Sequence, residues 1–194
     1  HRDLHSFPTR RSSDLLSKLY VRNLNTNKEE ELVITDENVI TPGASLMQKN
    51  RNTNKLYIAY TSPKTPGKSY IYDIATKEKK LVKEEIVPSG HQPDDYIVER
   101  LNCDSHDGRK IPLTITRHKK TKLDGTANLL LYAYGCYGAS MGPGFSSSRL
   151  SLINRNIIWV TAHVRGGMER GMSFWQEGKM LNKKNTFEIG RAHV

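Results

Sequence analysis

The chain has 194 residues, a hydrophobic fraction of 36% and a mean hydropathy of −0.63. That length suits one domain, or one domain with part of another. No apolar run approaches the ~18 residues of a membrane-spanning helix, so no membrane partner is expected. Lys and Arg number 30 against 20 Asp and Glu, a net charge of +10. The two cysteines, Cys103 and Cys136, are too few for a disulfide framework or a four-ligand zinc site. Reduced thiols, a cytoplasmic setting and no metal are therefore expected.

The first 15 residues, HRDLHSFPTRRSSDL, and the last seven, EIGRAHV, both resemble translated sequencing-adapter DNA. Segments 1–15 and 188–194 are accordingly set apart from the fold as artefacts, and the chain is expected to be a fragment. The body, 16–187, keeps a strong positive charge and the histidines His91, His106, His118 and His163.

From residue 16 the pattern is β. Residues 18–33, KLYVRNLNTNKEEELV, and 68–82, KSYIYDIATKEKKLV, each read as a short alternating strand, a polar turn and a second strand. They lie 50 residues apart. Between them, NKLYIAYTSP (54–63) is a further strand that alternates Leu56 and Ile58 with Tyr57 and Ala59. About six short strands fit into 16–90. Multi-stranded repeats at this period suggest propeller blades; a small sandwich or meander is the alternative.

Pro88, Gly90 and Pro93 mark a boundary. Two strands joined at Asp107-Gly108 follow, a hairpin signal. The lysines of 118–128 read as a solvated loop, and nothing around them suggests nucleic acid. Asn128–Tyr134 and Ile157–Val164 are apolar almost throughout. Such runs suggest strands covered on both faces, as in an α/β sheet. FSSSRLSLINRN (145–156) supplies a helix between them, and 171–187 opens into helix again.

Gly138-Ala139-Ser140-Met141-Gly142 matches the G-x-S-x-G nucleophile elbow. An elbow needs a helix directly after its serine, and Gly142-Pro143-Gly144 would delay one. An elbow's acid and base follow the serine in the chain, yet no Asp occurs after residue 140 and His163 lies in a buried strand. The match is read as accidental. Tyr134 follows a buried strand at its carboxyl end, where α/β sites form. Its hydroxyl suits either packing or donation to a developing oxyanion, the latter worth about 3–4 kcal/mol.

The segments YGCYG, FSSSRLSL, AHVRGG and GKMLNKKNTF together resemble the prolyl oligopeptidase family of serine peptidases, within it the oligopeptidase B (protease II) branch. The resemblance runs over 54–187 and is strongest over 129–187. It implies a β-propeller portion over 16–91 and the N-terminal part of an α/β-hydrolase catalytic domain over 92–187. It implies Tyr134 as an oxyanion donor, with a nucleophilic Ser, an Asp and a His that lie downstream and outside this chain, which is then inactive alone. It implies no cofactor, short peptides as substrates, and cleavage after Arg or Lys. Gly142 and Gly144 stand where some bacterial members place an acidic pair, which removes the basis for preferring paired basic residues. The alternative is a non-catalytic interaction protein built on the same two parts.

Overall fold

The structure is a computed structural model and describes residues 6–13, 16–46 and 53–189. The strands of 16–84 follow the alternation of the sequence. β1 (Ser6–Ser13), β2 (Leu16–Asn23) and β3 (Glu29–Leu32) form one antiparallel sheet. β4 (Thr41–Leu46), β5 (Lys55–Thr61), β6 (Lys68–Asp73) and β7 (Lys79–Glu84) form a second, in chain order. Ser6–Ser13, expected to stand outside the fold, pairs along its length with β2. The rest of the set-apart ends, 1–5, 14–15 and 190–194, lies outside the described residues.

The 50-residue repeat is real at the level of single hydrogen bonds. After β2, Asn23 Oδ1 accepts from the N–H groups of Asn25 and Thr26 at 3.0 and 3.1 Å. After β6, Asp73 Oδ1 accepts from Ala75 and Thr76 at 2.9 and 3.2 Å. Asn27 and Lys77 take matching left-handed conformations, φ 58° and 62°. A short carboxylate or amide that caps its own turn explains why Asn and Asp occupy these two places. Leu19 and Leu32 from the first sheet pack with Leu56, Ile58 and Tyr60 from the second. β7 is exposed along its whole length and rich in lysine, a composition that protects a sheet edge.

The third sheet has the order β10-β11-β9-β8. β8 (Tyr96–Asp104) and β9 (Lys110–His118) form the expected hairpin, with Gly108 at φ 77° in its turn. β10 (Leu129–Ala133) runs parallel to β11 (Ile158–Ala162), and helix α1 (Ser147–Ile153) makes the crossover between them. Helix α2 (Met172–Gln176) and a 3₁₀ helix, Met180–Thr186, follow. β11 is buried as expected, but β10 is not. It lies at the sheet edge, and Leu129 and Leu131 are about half exposed. An apolar strand is covered on both faces only where neighbours cover it, and among the described residues nothing does so here.

The boundary segment ties the second and third sheets together. His91 Nε2 lies 2.6 Å from the Lys64 carbonyl oxygen, and its ring packs on Tyr96 and Phe145. The loop after Ser140 reaches the same seam, where the Phe145 N–H donates to Thr61 Oγ1 at 3.2 Å.

Candidate functional site

The loop that leaves β10 is built around three glycines from three distant segments. Gly135 has φ 66°, and a Cβ there would lie 2.5 Å from Val164 and Thr186 side-chain atoms. Gly166 has φ 98°, and its Cβ would lie 2.1 Å from the Gly135 carbonyl oxygen. A Cβ on Gly178 would lie 2.2 Å from the Gly166 nitrogen. Only glycine permits backbones to meet this closely, and at Gly135 and Gly166 the positive φ requires it as well. Thr186 Oγ1 sits over the junction, 2.8 Å from the Arg165 carbonyl oxygen and 3.2 Å from that of Gly178. The Gly138 N–H donates to the Gly166 carbonyl at 2.9 Å. Lys183 Nζ donates to the Gly135 carbonyl at 2.5 Å. Tyr134 is presented at the end of β10 immediately before this junction, 44% exposed.

Beneath the loop lies a charged interior. Arg165 is completely buried, yet its guanidinium reaches Asp107 Oδ2 at 2.5 Å and Ser105 Oγ at 2.7 Å, both in the β8–β9 turn. The Arg165 bond holds the Asp107 carboxyl at about 2, well below the usual range. Glu169 is buried and accepts the Met141 N–H at 3.1 Å, while Oε2 has no hydrogen-bond partner. Burial pushes its carboxyl up. His163 is fully buried, with Nε2 2.7 Å from Thr114 Oγ1 and 3.4 Å from Arg100 Nη1. Burial, with Arg100 adding to it, lowers the imidazole to about 3, so it is neutral at physiological pH.

These placements bear on the motif readings. Ser140 is exposed, and the next helix, α1, starts only at Ser147. The sharp strand-to-helix turn that would expose and activate an elbow serine is therefore absent there. His163 is a buried, hydrogen-bonded residue and not a poised base. Gly142 and Gly144 lie against the second sheet; a Cβ on either would make ordinary contacts with Thr41 and Thr61. Lys183, Thr186, Glu169 and Arg165 escaped the sequence reading, because each acts on a backbone or side chain distant in the chain. Among the described residues no group of three or more His, Cys, Asp or Glu could hold a metal ion, and no helix is long and apolar enough to cross a membrane.

No family model matches the chain. Individual proteins do. The dipeptidyl aminopeptidase BI of Pseudoxanthomonas mexicana is 38% identical over 168 residues, 86% of this chain and 23% of that protein. The protease 2 of Moraxella lacunata is 35% identical over 144 residues, 74% of this chain and 21% of that protein. The solved structure of oligopeptidase B from Leishmania major superposes with a TM-score of 0.82 at 27% identity, covering 96% of this chain and 27% of the other. The relatives are peptidases of the prolyl oligopeptidase family. They support that family for this chain, and its mostly-sheet structure is consistent with a propeller portion. The chain spans about a quarter of the length of the relatives it matches.

Proposed function

We propose that the chain is a segment of a serine-type oligopeptidase. Residues 16–91 form the end of its propeller, and 92–187 form the N-terminal part of an α/β-hydrolase catalytic domain. Tyr134 is the oxyanion donor. The reading rests on one observation above the others: the Gly135–Gly166–Gly178 junction fixes the turn that presents Tyr134 at the carboxyl end of a parallel strand. A rigid donor costs little reorganisation when charge develops on the substrate oxygen, which is what makes such donors effective.

In the reaction this implies, a serine activated by a histidine attacks the peptide carbonyl. The carbonyl oxygen becomes an oxyanion, and the Tyr134 hydroxyl donates to it. The acyl-enzyme then yields to water. Ser, His and Asp come from outside this chain, so the segment alone cleaves nothing. The substrates are short peptides cut after Arg or Lys. Gly142 and Gly144 offer no carboxylate for a second basic residue, and the positive charge of this segment gives no attraction to a cationic peptide. A cytoplasmic setting accords with the two free thiols, Cys103 and Cys136.

The test uses the peptidase encoded by the full reading frame around this segment. Tyr134→Phe should lower kcat/KM for a short Arg-terminated reporter peptide by about 100-fold, mostly through kcat. A loss under about threefold would remove Tyr134 from the reaction. The 194-residue chain should turn over neither peptide nor activated ester, and Ser140→Ala should change nothing; Ser140-dependent turnover would overturn the assignment.

A further inference from the structure

Cys136 is two residues beyond Tyr134, yet the mechanism above makes no use of it. Its thiol is half-buried and faces the Lys183 ammonium, Nζ to Sγ 3.1 Å. The two line a cavity of about 390 Å³ with Trp175, Lys179 and Met180. Lys179 Nζ lies 3.6 Å above the Trp175 ring centroid, so a second cation shares the same space. The cavity therefore holds a nucleophilic sulfur, two ammonium groups and an aromatic wall. Cys103 is the internal contrast. It is buried, donates to the carbonyl oxygens of Ile111 and Ile189, and has its thiol pushed up by burial.

We propose that this cavity is a covalent capture site, at which Cys136 exchanges with small disulfides that carry carboxylates. The chemistry balances without further reagents. Cys136 gives its proton to solvent, and the thiolate sulfur attacks one sulfur of the incoming disulfide. The incoming S–S bond breaks, a Cys136 S–S bond forms, and the other half departs as a thiolate that takes up a proton. Cys136 is oxidised and the small disulfide is reduced. Lys183 stands opposite the charge that the sulfur carries before attack, and Lys179 with Lys183 attract the carboxylates of the reagent. The half that stays fills the space against Trp175 and displaces Lys183 from Sγ. Because Lys183 also holds the Gly135 carbonyl, the adduct loosens the turn that presents Tyr134.

The test uses the reduced 194-residue chain with dianionic dithiobis(nitrobenzoate) and neutral dithiodipyridine, each referenced to free cysteine. Release of aryl thiolate gives the rate, and peptide mass mapping gives the site. The expected result is a fast single equivalent on Cys136, with the anionic reagent favoured about tenfold over its ratio for free cysteine. Oxidised glutathione should form an adduct at the same sulfur. Lys183→Gln should remove most of the preference and Lys183→Arg should keep it. Since Lys183→Gln also frees the Gly135 carbonyl, Lys179→Gln is the second variant and should lower the preference without touching the turn. Equal labelling of Cys103 and Cys136, a charge preference no greater than that of free cysteine, or a preference unchanged in both lysine-to-glutamine variants would overturn the proposal. Labelling requires no peptidase activity, so its failure and the failure of the peptidase reading are separate results.

Discussion

Acid should destabilise this chain through His163 before it does so through any carboxylate contact at Asp107. The imidazole titrates near 6.5 when unfolded but only at about 3 in its buried place. Between those values the unfolded chain binds a proton here and the folded chain does not. Stability is therefore lost as pH falls through this window, by about 1.4 kcal/mol per unit once below the unfolded value. From pH 7 to pH 4 the loss from this one group is about 3 kcal/mol, an appreciable part of the 5–15 kcal/mol that holds a typical domain together. His163→Gln removes the titration and keeps an amide beside Thr114 Oγ1. Urea unfolding of chain and variant, followed by the fluorescence of Trp159 and Trp175, would be measured at each pH. All other groups titrate alike in both, so the difference between the two isolates His163. It should move by about 3 kcal/mol in favour of the variant across the interval. Two stability curves that stay parallel within about 0.5 kcal/mol would refute a buried, neutral histidine at this position.

Three further outcomes follow from the same loop and its floor. Gly166→Ala puts a Cβ at positive φ against the Gly135 carbonyl; the unfolding free energy should fall by about 3 kcal/mol, from strain and overpacking together, whereas Gly125→Ala, with nothing near its Cβ, should cost only the conformational part. The Arg165 bond to Asp107 adds stability that is present above the ordinary carboxylate range and lost as pH falls from about 4 through about 2; Asp107→Asn should flatten that part of an acid-unfolding curve and leave the His163 window intact. Glu169 behaves in the opposite sense, since burial raises its carboxyl and protonation relieves the penalty. Glu169→Gln should therefore stabilise the chain at neutral pH, with an advantage that shrinks as pH falls through the raised value; an advantage that stays constant with pH would locate the effect in packing instead of charge.

What the sequence made legible is what depends on neighbours in the chain. Asn23 and Asp73 cap turns made of their own next residues, so a 50-residue repeat is visible in the sequence itself. Asp107-Gly108 closes a hairpin for the same reason. The misreading of β10 came from a property the chain does not carry locally. Leu129–Tyr134 records that a strand is apolar, while its coverage depends on which strands lie beside it. The site was illegible for a stronger version of that reason. Gly135, Gly166 and Gly178 are unremarkable glycines in three separate segments, and their meaning arises only where the three backbones touch. Arg165 likewise reads as a surface charge until Asp107 and Ser105, some 60 residues earlier, are found against it. Tyr134 alone therefore suited packing as well as catalysis, and a family resemblance was needed to choose. The proposed role of Tyr134 as oxyanion donor draws its physical support from how that turn is built. A tyrosine needed only for packing does not require its following turn to be held by three backbone approaches, a threonine and a lysine ammonium. A hydroxyl that must meet an oxyanion within a few tenths of an ångström does.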